Sequence, residues 1–431
     1  MKKYKSSKYN YMIKEADKNI MINLFTNSAV QILSNQLETI TKILANPNSK
    51  TLNKDELKFK QILITQGFLI NQKLNEVELL KLKNRITRYG NNTLGLVITP
   101  TLKCNFKCPY CYETQTDDVM TDSLADNIIK YIKSEAKNNK NLVVTWFGGE
   151  PLLELKRIIH LSEQIMSISE KHNVKYNAKI ISNGYLLNKD VVNKLIECNC
   201  KEIQITIDGP KYIHDNRRIL KNGKGSFDKI MENLKYAVSK FDVVKIRVNI
   251  DNENAEHIHF LLDTLTPLKE KIYIGFMTVS KTNSYSDKCC SMKEFSEVNS
   301  KIFNEAIDRG FKLLRYMSST PGTVFCGANQ IKNMVIDPVG QIYTCLVDVG
   351  KESRMIGKLN STGSIDFNFS EMLKWHTWEP FDNEECIECE VLPICMGGCK
   401  RLQHSEEKCF LKYTLKERLL SLPHIKEIIQ A

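Results

Sequence analysis

The sequence predicts an α/β protein centred on a parallel β/α domain, either an open sheet or an incomplete barrel. Three observations carry that prediction: six short β-rich runs, an amphipathic segment of helical spacing after each, and turn-forming or polar residues at the ends of five runs. The strands are expected at 94–100, 143–148, 179–184, 202–208, 245–251 and 271–277. Helices are expected at 123–138, 156–173, 189–198, 226–241, 255–268 and 292–309. A strand that feeds a helix before the next strand begins makes a right-handed crossover, so the six strands should run parallel. Ligands of such domains sit at the carboxyl ends of the strands.

The residues at those ends are therefore the candidates for function. Cys104, Cys108 and Cys111 follow the first run, and Gly148, Gly149, Glu150 and Pro151 the second. Ser182, Asn183 and Gly184 end the third, Asp208, Gly209 and Pro210 the fourth, and Arg247 and Asn249 lie in the fifth. Any one of these loops alone reads as an ordinary turn, since Gly, Pro, Asn and Asp are common turn formers. A cysteine triplet in the first of them is not ordinary.

Residues 1–90 form a separate unit, with a β-hairpin from runs at 9–16 and 19–25. Helices are expected at 31–45, 55–66 and 78–86, with Gly67 as a stop and Leu79, Leu82 and Ile86 at helical spacing. Two strands with three helices suggest a small winged-helix-like module. The chain divides by expectation into 1–90, 91–315 and 316–431, a number of domains in keeping with its length of 431 residues at roughly 150 per domain. Hydrophobic residues make up 42%, enough for packed cores. No run is long and apolar enough for a membrane span, and the basic, polar start lacks a signal core, so the expected location is the cytosol. The net charge of +11 is spread along the chain, with no tail or stripe to engage nucleic acid.

The chain has 14 cysteines. Without an export signal, disulfides are disfavoured and thiolates are more often metal ligands or catalytic groups. Cys104-x3-Cys108-x2-Cys111 puts three thiolates in one loop. A four-iron cluster with three protein ligands keeps one iron open to an exogenous ligand. Zinc is the competing reading, but a structural site needs a fourth ligand that the loop does not supply. The tail carries Cys326, Cys345, Cys386-x2-Cys389-x5-Cys395-x3-Cys399 and Cys409, enough for one four-thiolate site and one with three. Alone, Cys386, Cys389, Cys395 and Cys399 could form a zinc ribbon, which would make the protein a scaffold or regulator. Cys198, Cys200, Cys289 and Cys290 have no partners at convincing spacing, and Cys198 reads as a small buried hydrophobe.

The first cysteine loop, with Tyr110 before its last cysteine, resembles the radical S-adenosylmethionine (SAM) signature. Gly148-Gly149-Glu150-Pro151 resembles that superfamily's methionine-binding loop, and the seven-cysteine tail is similar to the SPASM domain, which holds auxiliary iron-sulfur clusters. The resemblance covers roughly residues 94–409. It implies a partial (β/α)6 TIM-like barrel, S-adenosyl-L-methionine as cofactor, and three [4Fe-4S] clusters, one for the radical and two auxiliary. In the family the open iron chelates the amino and carboxylate groups of SAM, and electron transfer yields methionine and a 5'-deoxyadenosyl radical; the protein binds and orients.

By position, Glu150 would meet the methionyl ammonium, and Ser182 and Asn183 the carboxylate or ribose. Asp208, Asn249 and a carboxylate-binding arginine, Arg218 in preference to Arg217, complete the expected cofactor set. The resemblance assigns Cys386, Cys389, Cys395 and Cys409 to a closed auxiliary cluster. Cys326, Cys345 and Cys399 would hold the other, which lacks the extra cysteine that fully ligated relatives carry and so would have an open iron.

Related enzymes include anaerobic sulfatase-maturating enzymes, which make formylglycine, and maturases that crosslink ribosomally made peptides. The former place an aspartate directly after the cysteine corresponding to Cys345, whereas this chain has Leu346. The leading module resembles the element with which peptide maturases bind a leader peptide at a sheet edge. The expectation is therefore an oxidoreductase acting on a precursor peptide, reduced by flavodoxin or ferredoxin, that installs a crosslink such as a thioether. Asp348 is the nearest candidate base; the alternative is a solvated loop carboxylate.

Overall fold

A hydrophobic hairpin opens the chain, and its partners come from the chain's other end. The computed structural model describes all residues except 1, 16–17, 91, 280–284, 286–287, 315–320, 404, 406–407, 421 and 431. Ala16, the expected end of the first strand, lies outside the described residues. Strands β1 (Tyr4–Ser6) and β5 (Leu69–Asn71) pair antiparallel, and β2 (Asn10–Glu15), β3 (Lys18–Asn23) and β4 (Ala29–Ile32) form a three-stranded antiparallel sheet. Three helices follow the expected ones, at Leu37–Ala45, Lys54–Thr65 and Glu76–Tyr89. Asn53 caps the second, accepting from the N–H groups of Asp55 and Glu56, and Gly67 at φ +81° ends its connection.

The expected helix at 31–45 begins late, at Leu37. Its first residues are drawn into β4 because Val30 pairs with Met21 and Gln31 with Ile20, extending the hairpin by a strand. The buried hairpin residues Tyr9, Ile13, Ile20, Ile22 and Leu24 share one cluster with Val391, Leu392, Ile394, Met396, Leu415, Leu419 and Ile425. Compactness thus cuts across the three expected segments: residues up to Arg88, a short segment ending at Cys326, and the chain from Trp378 onward make one unit.

The second unit runs from Tyr89 through the β/α repeats and includes Gly327–Thr377. Its six central strands are β6 (Thr93–Ile98), β7 (Asn141–Trp146), β8 (Lys175–Ser182), β9 (Cys200–Thr206), β10 (Val243–Ile250) and β11 (Ile272–Thr278). All neighbours among them are parallel and in chain order. β12 (Lys312–Leu313) adds to one edge in parallel, β13 (Asn333–Ile336) to the other, and β14 (Gln341–Tyr343), β15 (Gly357–Leu359) and β16 (Ile365–Phe367) continue antiparallel. Each expected helix is present, at Asp122–Ala136, Leu155–Lys171, Lys189–Glu197, Phe227–Ala237, Ile258–Leu265 and Met292–Asp308.

Burial alternates along these strands, and the alternation explains why the sequence reads as β. One face carries Leu94, Leu96, Ile98, Val144, Ile180, Ile203, Ile246 and Val248, all buried in the cluster that also takes Ile128 and Ile132 from the first covering helix. The other face carries Asn177, Lys179, Glu202, Gln204, Lys245 and Arg247, all half-buried, with Lys245 paired to Glu202. A parallel sheet packed on both faces would be apolar on both. This one keeps a polar, half-buried face opposite its apolar one.

Candidate active site

Loops after the parallel strands are zipped together by glycines. Gly148 has φ +128°, and a Cβ there would lie 2.3 Å from the Thr101 carbonyl oxygen. A Cβ on Gly149 would lie 2.3 Å from the Lys103 carbonyl oxygen. Only glycine lets the β7 loop cross the cysteine loop this closely, and the crossing is tied by Gly149 N–H to Thr101 O at 3.2 Å and Glu150 N–H to Lys103 O at 2.8 Å. Glu150 is thereby buried completely. Its carboxylate accepts from Ser182 Oγ at 2.8 Å, Asn183 N at 2.8 Å and Leu152 N at 3.1 Å. Burial raises its proton affinity against those bonds. A carboxylate has about four acceptor sites, so one direction stays open to an ammonium. Asn183 also donates to Asn105 Oδ1 at 2.7 Å, fastening the β8 loop to the cysteine loop.

Cys104 is buried, and Cys108 and Cys111 are half-buried. Burial pushes the Cys104 thiol up to about 12 and Cys111 to about 11, and raises Cys108, while the Arg218 guanidinium pulls all three down. Thiols so placed keep their protons unless a metal displaces them. No disulfide joins any of the 14 cysteines.

At the β9 end, the fully buried Asp208 accepts from Asn249 N–H at 2.9 Å through Oδ1 and from the Tyr110 hydroxyl through Oδ2. The adjacent arginines divide sharply. Arg217 donates to Asp251 Oδ2 at 2.5 Å, Tyr285 OH at 3.3 Å and Asn249 O at 3.3 Å. Arg218 donates to Tyr110 OH at 2.8 Å, stands 4.0 Å from Asp208, and has a buried Nε with no hydrogen-bond partner. The buried Nε of Arg217 also lacks a partner, so what separates the two is that Arg217 bonds a buried carboxylate directly while Arg218 reaches Asp208 only through the Tyr110 hydroxyl. Asn249 is buried, and its Oδ1 accepts from Arg247 Nε at 2.7 Å.

Glu113 was not picked out from the sequence. Burial and the neighbouring Glu150 raise the carboxyl of this half-buried residue to about 8, against Arg218. The signal available was its place two residues after Cys111. The buried Cys289 packs with Tyr110, Tyr285 and Val279, against Cys108. Cys198 is a buried core residue.

In the same unit, the half-buried Cys345 adds to the raised proton affinity of Tyr112, whose main cause is burial. Asp348, in the turn Leu346–Asp348, is 3% exposed, so the expectation of a solvated loop carboxylate does not hold: the turn folds its side chain inward. In the other unit, burial raises the thiols of Cys386 and Cys395, Cys395 to about 12, and the nearby Cys389 and Cys409 add to both shifts. The chain reverses between Cys395 and Cys399 through Met396, Gly397 and Gly398, all at positive φ. Cys326 is exposed and Cys399 half-buried. Among the described residues no three Cys, His, Asp or Glu side chains converge tightly enough to hold a single metal ion.

Comparison with known proteins agrees with this geometry. Residues 98–265 match the Radical SAM superfamily. The chain is 24% identical over 382 residues to the radical SAM cyclopropyl synthase TigE of Paramaledivibacter caminithermalis, covering 78% of this chain and 74% of the relative. It is 25% identical over 361 residues to a cysteine-type anaerobic sulfatase-maturating enzyme of Clostridium perfringens, covering 74% and 92%. Among solved structures, anSMEcpe with bound AdoMet has a TM-score of 0.59 at 20% identity, over 78% of this chain and 99% of that one. Streptococcus suis SuiB bound to precursor peptide SuiA has a TM-score of 0.53 at 16% identity, over 94% and 98%. Residues 98–265 thus form a Radical SAM domain, in a chain whose relatives include radical SAM and anaerobic sulfatase-maturating enzymes. Among the described residues no helix is long and apolar enough to cross a membrane.

Proposed function

We propose that the protein is a radical SAM/SPASM peptide maturase that installs a crosslink, a thioether to cysteine being the leading form, in a ribosomally made precursor. When bound, the cluster and SAM supply a 5'-deoxyadenosyl radical that abstracts hydrogen from the substrate. Cys104, Cys108 and Cys111 would hold that cluster. Glu150 would face the methionyl ammonium, Arg218 the carboxylate, and Ser182, Asn183, Asp208 and Asn249 would frame the loops around them. The polar face with Lys179, Gln204 and Arg247 would receive the peptide and keep it oriented. Cys386, Cys389, Cys395 and Cys409 are assigned to a closed auxiliary cluster, and Cys326, Cys345 and Cys399 to one with an open iron. Asp348 is the proposed base, and flavodoxin or ferredoxin the proposed electron donor.

The observation that carries the peptide reading is an exposed apolar pair on a helix of the leading module. Helix Glu76–Tyr89 buries Glu76, Leu80, Asn84 and Arg88 and exposes Leu82 at 56% and Ile86 at 62%. Polar residues inside are matched by bonds: Glu76 accepts from Ser7 Oγ at 2.7 Å, and Asn84 Nδ2 donates to Thr323 O at 2.5 Å. The apolar stripe outside is what an amphipathic or extended peptide would cover. With five strands and three helices, residues 1–90 are read as a winged-helix-like leader-binding domain, ahead of a partial barrel at 91–315 and a SPASM domain at 316–431.

The second reading, formylglycine formation, is favoured by the sulfatase-maturating relatives. Anaerobic reconstitution with a cysteine-rich precursor peptide separates the two. A product lighter by two hydrogens supports crosslinking, and a formylglycine product overturns it.

A further inference from the structure

We propose that Tyr110 is a positioning residue for SAM, acting through Arg218; this rests on the assignment of Arg218 to the cofactor's carboxylate. Tyr110 lies between two cysteines of the first loop and is 7% exposed. Its hydroxyl donates to Asp208 Oδ2 and accepts from Arg218 Nη1 at 2.8 Å. The single phenolic proton is therefore committed, and the oxygen points its lone pair at the guanidinium.

The consequence lies in what the hydroxyl prevents. Asp208 and Arg218 stand 4.0 Å apart with the phenol oxygen bonded to both, so their charges meet through an intermediary and not in a direct fork. The neighbouring pair shows the alternative: Arg217 closes directly on Asp251 at 2.5 Å, and its guanidinium lies 5.0 Å over the Tyr110 ring. The Nε of both arginines is buried without a hydrogen-bond partner, so the difference lies in the charge: Arg217 is neutralised by direct contact with Asp251, whereas Arg218 reaches Asp208 only through the phenol oxygen. Holding Arg218 one hydroxyl away from Asp208 leaves its guanidinium without a directly bonded carboxylate, free to take an incoming one. Asp208 cannot follow, because its other oxygen is tied to the Asn249 N–H and its carbonyl to Asn254 Nδ2 at 2.7 Å. The ring fixes the height of the hydroxyl by packing edge-on against Tyr285 at 6.0 Å. Removing only the oxygen lets Arg218 collapse onto Asp208, where the cofactor must compete for it.

The test is a double-variant cycle on the full, anaerobically reconstituted chain, with SAM itself as the probe. Its dissociation constant is read by equilibrium dialysis and by the change it causes in the reduced cluster's paramagnetic resonance. Iron and sulfide are counted in every sample. Tyr110→Phe is expected to weaken binding about tenfold, the worth of one hydrogen bond to a charged group, with iron and sulfide unchanged. Arg218→Gln is expected to weaken it at least as much, and Tyr110→Phe placed on Arg218→Gln to add less than twofold, because the two act as one unit. An unchanged dissociation constant in Tyr110→Phe alone, a loss of iron in that variant, or independent multiplying effects would overturn the proposal. Unchanged binding in Arg218→Gln would remove the Arg218 assignment on which it rests.

Discussion

Arg217 and Arg218 are adjacent, equally basic and both buried, yet the structure gives them different work. Arg217 balances Asp251, which has no exposed surface. Replacing one partner of such a pair leaves the other charge buried alone, at a cost of about 3–5 kcal/mol. Arg217→Ala should therefore lower stability by about that amount in denaturant titrations. Arg218→Gln should leave stability closer to wild type and weaken SAM. The resemblance pointed to an arginine in this stretch and favoured Arg218, but the physical difference between the two rests on the positions of Asp251 and Asp208, which arrive from different strands. Glu150, Ser182 and Asn183 were legible because strand ends of a β/α repeat share one face. Glu113 was not, because nothing local marks a carboxylate whose neighbours, Glu150 and Arg218, come from distant loops.

Loops and turns at the next scale have their own tests. Gly149→Ala would press a methyl against the Lys103 and Leu102 carbonyl oxygens. It should separate the β7 loop from the cysteine loop and abolish formation of 5'-deoxyadenosine, with the chain still folded by circular dichroism. The β13–β14 turn offers a pH test. Asp337 is 1% exposed, and burial raises its carboxyl to about 6 despite bonds from the Gln341 and Val339 N–H groups. Its folded value exceeds the unfolded one of 3.8, so the unfolded chain loses its proton first as pH rises. The side chain then costs stability that accumulates from about pH 4 to 6, about 3 kcal/mol in all. Asp337→Asn should flatten the fall in denaturant midpoint between pH 4 and pH 7. A fall as steep as wild type would contradict this. The six central strands were legible from their apolar alternation, the expected ends of the first four running two residues past the ladder. β4 was not, because its pairing with β3 overrides a helical spacing that continues into the true helix.

Across the whole chain, the unexpected feature is that the first 88 residues and the chain from Trp378 onward share one core. Lys8 pairs with Glu388 at 2.9 Å, Arg85 forks onto the buried Glu379 at 2.9–3.1 Å, and Cys386, Cys389 and Cys395 pack against the hairpin's cluster. Metal binding to those thiols would then add to the stability of the N-terminal sheet. Cys386→Ala and Cys395→Ala should speed hydrogen exchange in residues 10–32 relative to the reconstituted wild type, and leave β6–β11 unchanged. No local pattern could have revealed this, because periodicity reports on neighbours in sequence and this core joins the two ends of the chain. The cysteine spacings were legible because metal ligands within a loop must be close in sequence.

One measurement reaches the centre of the account: iron content and 5'-deoxyadenosine formation, side by side, in reconstituted wild type and in the variant with Cys104, Cys108 and Cys111 all changed to alanine. Three four-iron clusters predict about twelve irons in the wild type and about eight in the variant. 5'-Deoxyadenosine should form only in the wild type. A variant that still cleaves SAM, or a wild type that holds about four irons, would contradict it.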